Sequence, residues 1–242
     1  MVQKMRLKLA FAAFMSLGCM LPEWVGATTL VVTPTLINLA PGQTSATVEI
    51  QNHGLAPVAL QARVFAWSQT GDNDMLVPTS DIIISPPIFT TPVGASQTVR
   101  LLLRGAARAS QGSSYRLLLD EVPVASAKRG QVVVALRMSL PVMITSSQTG
   151  PALLTWHAER TPDGNIILTA VNAGLTYAIV SGMEVTMADG SHPMALPLGK
   201  NPYVLAGSRR QWIVRSSSAA SRIPLRLSFD TQAGRTDQAL IP

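Results

Sequence analysis

Cysteine is nearly absent. The one among 242 residues, Cys19, lies inside an N-terminal stretch that reads as a removable leader, so the remainder can form no disulfide and no thiolate metal site. Histidine is almost as scarce: His53, His157 and His192 are scattered between turns and a strand start, with no HExxH and no paired metal-ligand spacing. A glycine-rich phosphate loop, a nucleophile elbow and a carboxylate cluster are missing too, so no catalytic residue, cofactor or metal is expected. Charged residues make up only 13% of the chain against 47% hydrophobic, which is too apolar for disorder. Past the N-terminus no apolar run is long enough to cross a bilayer. The net charge of +6 would suit an acidic partner, but the arginines are dispersed among apolar runs without a Lys/Arg cluster or interleaved aromatics, so nucleic acid is not an expected partner.

What is present begins with residues 1–27. Lys4, Arg6 and Lys8 form a basic start, Leu9 to Leu21 an apolar stretch, and Val25-Gly26-Ala27 a small-residue cleavage site, so a signal peptide is expected to be removed between Ala27 and Thr28. The alternatives are a membrane anchor, for which the stretch is short and ends in Pro22-Glu23, and lipidation at Cys19 within a loose Ser16-Leu17-Gly18-Cys19 box.

After Thr28 one design repeats: short runs of Val, Ile, Leu and Thr, broken at short intervals by Gly, Pro, Asn or Asp. Strands are expected over Thr29–Val32, Ala46–Gln51, Val58–Trp67, Gln97–Leu103, Tyr115–Val122 and Gln131–Ile144, then Leu153–Glu159, Asn165–Val171, Tyr177–Met187 and Gln211–Arg215. Pro86-Pro87 breaks a ladder and can switch the chain between sheets through a cis bond. Phe65 and Trp67, two apart on one strand face, read as core. Ser146 to Gly150 interrupts the pattern, which divides the chain into 28–147 and 151–242. The expected fold is all-β, two immunoglobulin-like β-sandwich domains in tandem after the signal peptide.

An ordered series of motifs carries a family resemblance over nearly the whole of the chain after the leader. It runs through Val32-Thr-Pro-Thr35, Leu39-Ala-Pro-Gly42, Val48-Glu-Ile-Gln-Asn52, Gln61-Ala-Arg-Val-Phe-Ala-Trp67, Ser85-Pro-Pro87 and Gln97-Thr-Val-Arg-Leu101. It continues with Tyr115-Arg-Leu-Leu-Leu-Asp-Glu-Val-Pro123, Arg137-Met-Ser-Leu-Pro-Val142, Asn172-Ala-Gly174 and Tyr203-Val-Leu-Ala-Gly207. The chain resembles the periplasmic pilus chaperones of the chaperone–usher pathway, and more closely their archaic, spore-coat-U-associated branch. The resemblance implies a periplasmic, non-enzymatic factor whose partners are pilin-like subunits and an outer-membrane usher.

The family lends an edge strand to a subunit that lacks its last one. In Gln131–Ile144, Val132, Val134, Leu136, Met138, Leu140 and Val142 recur at a spacing of two. Alternation alone fits an ordinary buried strand equally well; the resemblance makes it the donor. The resemblance also implies a basic anchor for the subunit's terminal carboxylate, yet the family's arginine and lysine positions fall at Leu36 and Pro141 here. A hairpin in which Val122 faces Gln131 would set Arg116 opposite Arg137, a like-charge pair that a carboxylate would relieve; the alternatives are that Asp120, Glu121 or another acid of the chain fills that role, or that the register differs. Arg100, one strand earlier, is a third candidate. An apolar donor edge also predicts self-association without a client. The competing function is an exported two-domain structural or adhesive component of a surface fibre, which the same strand pattern would serve.

Overall fold

The computed structural model describes residues 29–71, 73–105, 112–123, 134–145, 150–187, 194–196, 201–215 and 225–240. The leader with its cleavage site and Cys19 lies outside them, as do Val132 and His192. Among the described residues there is no helix, as the period-two patterning requires.

Two sheets make the first unit. One has the order β1 (Leu30–Thr33), β3 (Ser45–Asn52), β8 (Ser96–Leu103), β6 (Ile82–Ser85). The other has the order β2 (Ile37–Leu39), β10 (Arg137–Ile144), β9 (Ser113–Glu121), β4 (Val58–Thr70), β5 (Asn73–Pro78), with β7 (Ile88–Thr91) also on β4. Alternation sets the facing surfaces: Val48 and Ile50, Leu60 and Val64, Val99 and Leu101, Leu117 and Leu119 close into one core. Each such burial contributes roughly 1.5 to 3 kcal/mol.

The chain passes repeatedly between the two sheets, and two of these crossings carry a cis X–Pro bond. Thr33-Pro34 lies between β1 and β2, and Ser85-Pro86 between β6 and β7. The double proline read as a sheet switch is one.

The second unit holds β11 (Leu154–Arg160), β12 (Ile166–Asn172) and β17 (Arg209–Val214) in one sheet. Facing them are β15 (Met194–Ala195), β14 (Ser181–Met187), β18 (Leu225–Thr231) and β19 (Gly234–Leu240), with β13 (Ala178–Ile179) paired to β16 (Tyr203–Val204). Its core packs Trp156 against Trp212 and Phe229.

One device recurs in both units. The buried Asn52 side chain donates to Ala56 O (2.8 Å) and Thr91 O (3.0 Å) and accepts from Gly54 N (2.9 Å). Asn172 donates to Thr176 O (2.8 Å) and Val204 O (3.1 Å) and accepts from Gly174 N (3.0 Å). Each asparagine thus ties a turn to a distant strand and satisfies backbone groups that burial would otherwise leave unpaired.

Two expectations are corrected. Of the strand expected over Gln131–Ile144, residues 131–133 lie outside the described residues, and among the rest the strand begins at Arg137, because β9, its partner, ends at Glu121. Leu136 is held there without a ladder: its O accepts from Glu121 N (2.9 Å) and its N donates to Glu121 Oε2 (3.1 Å). The hairpin register is also four residues from the one inferred. Arg137 faces Asp120, and Arg116 faces Pro141. A register that pairs Arg137 with a carboxylate avoids the like-charge juxtaposition the inferred one would impose.

Candidate functional site

β10 has β9 along one side for its whole length, whereas β2 covers the other side only at Val142–Ile144. From Arg137 to Pro141 that side carries no strand among the described residues. Along the strand the apolar positions pass from outside to inside: Val134 is 84% exposed, Leu136 and Met138 are half-buried, and Leu140 and Val142 are enclosed in the core of the first unit. The rooted half fixes the strand, and the free half presents both backbone groups and apolar side chains.

The three arginines are not together. Arg100 is on β8 in the opposite sheet, exposed, facing Thr47 and Ser85. Arg137 lies on the outer face of β10 and bonds Asp120, which also receives Arg63 Nη2 at 2.5 Å. The acid weighed against the anchor is therefore the acid that pairs with Arg137. Burial alone would raise the Asp120 carboxyl, but the bonds from Arg137 and Arg63 outweigh it and hold the group below the usual range.

Arg116 is different. Its guanidinium carbon lies 3.7 Å from the centre of the Trp67 ring and 5.4 Å from that of Tyr203, so a ring from each unit flanks the cation. No hydrogen-bond acceptor for the guanidinium is found among the described residues. Burial pulls Arg116 below the ordinary arginine value, with the field of Asp74 acting the other way. Pro141 is the cross-strand partner of Arg116, and Leu36 packs against the cluster that holds the Trp67 ring.

Trp67 is buried as expected, but not in the sandwich core. Its ring packs with Met143, Leu36, Leu205, Tyr177 and Tyr203 between the two units, because the outer face of β4 meets the second unit there. Alternation identifies a face and cannot say which neighbour covers it.

Asp74, which sequence reasoning missed, joins the units. Its Oδ1 accepts from Trp67 Nε1 (3.1 Å), Gln69 Nε2 (3.0 Å) and Arg210 Nη1 (3.4 Å), and its Oδ2 accepts from Asn201 Nδ2. Gln69 adds a two-pronged bond to the second unit, donating to Tyr203 O (2.9 Å) and accepting from Leu205 N (2.9 Å). Burial pushes the Asp74 carboxyl up, but the donors around it win and it titrates below its ordinary value.

Because Asp74 and Asp120 both have lowered folded-state values, each adds stability above the unfolded carboxylate range, near pH 4, and that stability is lost as pH falls through the folded values. The melting temperature of the wild type should therefore drop more steeply below about pH 4 than that of an Asp74→Asn, Asp120→Asn double variant. Thermal melts from pH 2 to 7 would measure the difference, and parallel acid limbs would reject it.

His53 shares an exposed contact with Gln51 Oε1 (3.2 Å), and His157 is exposed on β11. No group of three or more metal-ligating side chains occurs among the described residues.

A model of the family described as pili and flagellar-assembly chaperone, PapD N-terminal domain, matches residues 29–149, half of the chain. No curated protein sequence matches. Among solved structures, the CsuC–CsuE chaperone–tip adhesion subunit pre-assembly complex from archaic chaperone–usher Csu pili of Acinetobacter baumannii is similar at 22% identity, over 88% of this chain and 98% of that one, with a TM-score of 0.66. The E. coli chaperone DraB is similar at 16% identity over 88% and 97%, TM-score 0.62. The YadV chaperone is similar at 15% identity over 87% and 99%, TM-score 0.61. At these identities the likeness speaks for the fold.

Proposed function

This chain belongs to the pili and flagellar-assembly chaperone family, and we propose that it works in the periplasm by lending β10 to pilin-like subunits and delivering them to an outer-membrane usher. The carrying observation is β10, whose side from Arg137 to Pro141 carries no strand among the described residues, with the ring-stacked guanidinium of Arg116 on the neighbouring strand opposite Pro141. A subunit strand adds to the open edge, its groove takes Val132, Val134, Leu136 and Met138, and Leu140 and Val142 root the donor. Arg116 anchors the terminal carboxylate and sets the register; Arg137 and Arg100 are the lesser candidates. The first domain, 28–147, carries the donor, and the second, 151–242, completes the cleft, the leader 1–27 having been removed on export. The order of motifs from Val32 to Gly207 favours the archaic branch.

The test is co-purification of the mature chain with pilin-like subunits encoded beside it. Leu136→Asp should weaken a one-to-one complex roughly tenfold, the value of one apolar side chain in a groove. The same preparations without client, examined by sedimentation velocity, should show weak self-association that Met138→Asp removes. A chain that captures no exported subunit and instead appears in surface fibres would be a fibre component, and the proposal would fail.

A further inference from the structure

The Arg116 cation, on β9 one strand in from the open edge of β10, has no acid bonded to it among the described residues. Asp74 lies near enough for its field to act on Arg116, but no hydrogen bond joins them, and the carboxylate is occupied by Trp67, Gln69, Asn201 and Arg210. Two of these donors come from the first unit and two from the second. One, the Trp67 indole N–H, belongs to the ring on which the guanidinium stacks, while Asn201 and Arg210 flank the Tyr203–Val204 strand that brings the second ring over it.

We propose that Asp74 is a positioning residue: it fixes the Trp67 plane and draws Tyr203 against Arg116, so that a cation held by ring faces alone keeps its hydrogen-bond donors for an incoming carboxylate. The inference rests on the anchor reading above. It adds that the second domain takes part in the anchor through Asp74, so domain docking and carboxylate capture are linked. A ring-held guanidinium has the advantage of charge without a competing acceptor.

The sign of one substitution separates this from simple electrostatics. Were Asp74 only a nearby negative charge, removing it would strengthen anion binding at Arg116. Positioning predicts the opposite.

The measurement is the Arg116 Nε–Hε cross-peak of the 15N-labelled mature protein, assigned with Arg116→Lys. The probes are an acetylated alternating Thr-Val octapeptide with a free C-terminal carboxylate and the same peptide as its amide. In the wild type the peak should carry a ring-current shift, and the acid should bind about tenfold tighter than the amide, as a charge-assisted bond warrants. In Asp74→Ala the shift should collapse toward that of exposed arginines and the preference should fall below about twofold. An unchanged peak, or an unchanged or larger preference, overturns the proposal. Trp67→Phe keeps a ring under the cation but gives up the bond to Asp74, and it should move both readouts in the same direction. Should Asp74→Ala fail to fold, Trp67→Phe decides alone, and unaltered readouts there overturn the proposal. A wild type that does not prefer the acid refutes the anchor reading itself, and the ring-current shift in Asp74→Ala then still decides whether Asp74 positions the cation.

Discussion

Arg116→Glu should weaken capture of a client subunit by about a hundredfold or more, the largest functional loss expected of any single side chain here, because removing one member of a desolvated charge pair costs on the order of 2 to 5 kcal/mol. The guanidinium already sits between two rings and needs little further ordering to accept a carboxylate. Arg116→Lys keeps the charge but loses the planar stack and the fork, and it should lose about tenfold. Arg137→Ala should cost less than about threefold, since Arg137 is exposed and committed to Asp120, and exposed pairs contribute about 0 to 1 kcal/mol. Arg100→Ala, on the far sheet, should be silent. Titration of the purified variants with one client, by calorimetry or fluorescence, gives this ranking directly. An Arg137→Ala loss exceeding that of Arg116→Glu would move the anchor to the outer end of β10.

That ranking was only half legible in the sequence. Alternation located nearly every long strand of the first unit, because Val48, Ile50, Leu60, Val64, Val99 and Leu101 can face only one way in a sandwich. Shorter strands were missed. β6 and β7, of four residues each, flank Pro86-Pro87 and vanish beside the stronger breaker signal; β2 has three residues. β19 is mostly polar and exposed, so it offers no apolar stripe to find. Asp74 was hidden for a different reason. It follows Gly71-Asp72-Asn73, where an acid normally belongs to water, and only the arrival of Asn201 and Arg210 from more than a hundred residues away encloses it. The one local hint is spacing: Trp67 and Gln69 share a strand face, and the hairpin register returns Asp74 opposite Gln69. The register of β9 against β10 was equally beyond composition. A shift of four preserves every inside–outside assignment while changing every partner.

Gly174→Ala should destabilise the second domain by about 3 kcal/mol or more, although alanine is ordinarily the gentlest change a glycine can undergo. The difficulty is space and not backbone conformation, since Gly174 has no positive φ. A Cβ there would lie 2.4 Å from Pro151 O, 2.6 Å from Leu153 N and 2.9 Å from Ala152 Cα. All three are backbone atoms, so no side chain can swing away. The segment cannot retreat freely either: Leu153 N donates to Asn172 Oδ1 (3.1 Å), and Ala173 N donates to Leu153 O (2.9 Å). Displacing residues 151–153 would break both bonds and disturb the Asn172 turn that holds Val204, next to the Tyr203 ring over Arg116. Gly164→Ala is the contrast. Gly164 has a φ of +85° with nothing within 4 Å, so its alanine should cost only the left-handed strain of about 1 to 2 kcal/mol. Urea unfolding followed through Trp156 and Trp212, which stack at 5.4 Å inside the second core, would compare the two. If Gly174→Ala proved no worse than Gly164→Ala, the entry to β11 would have to be yielding. The Asn172 turn would then not be what holds it in place.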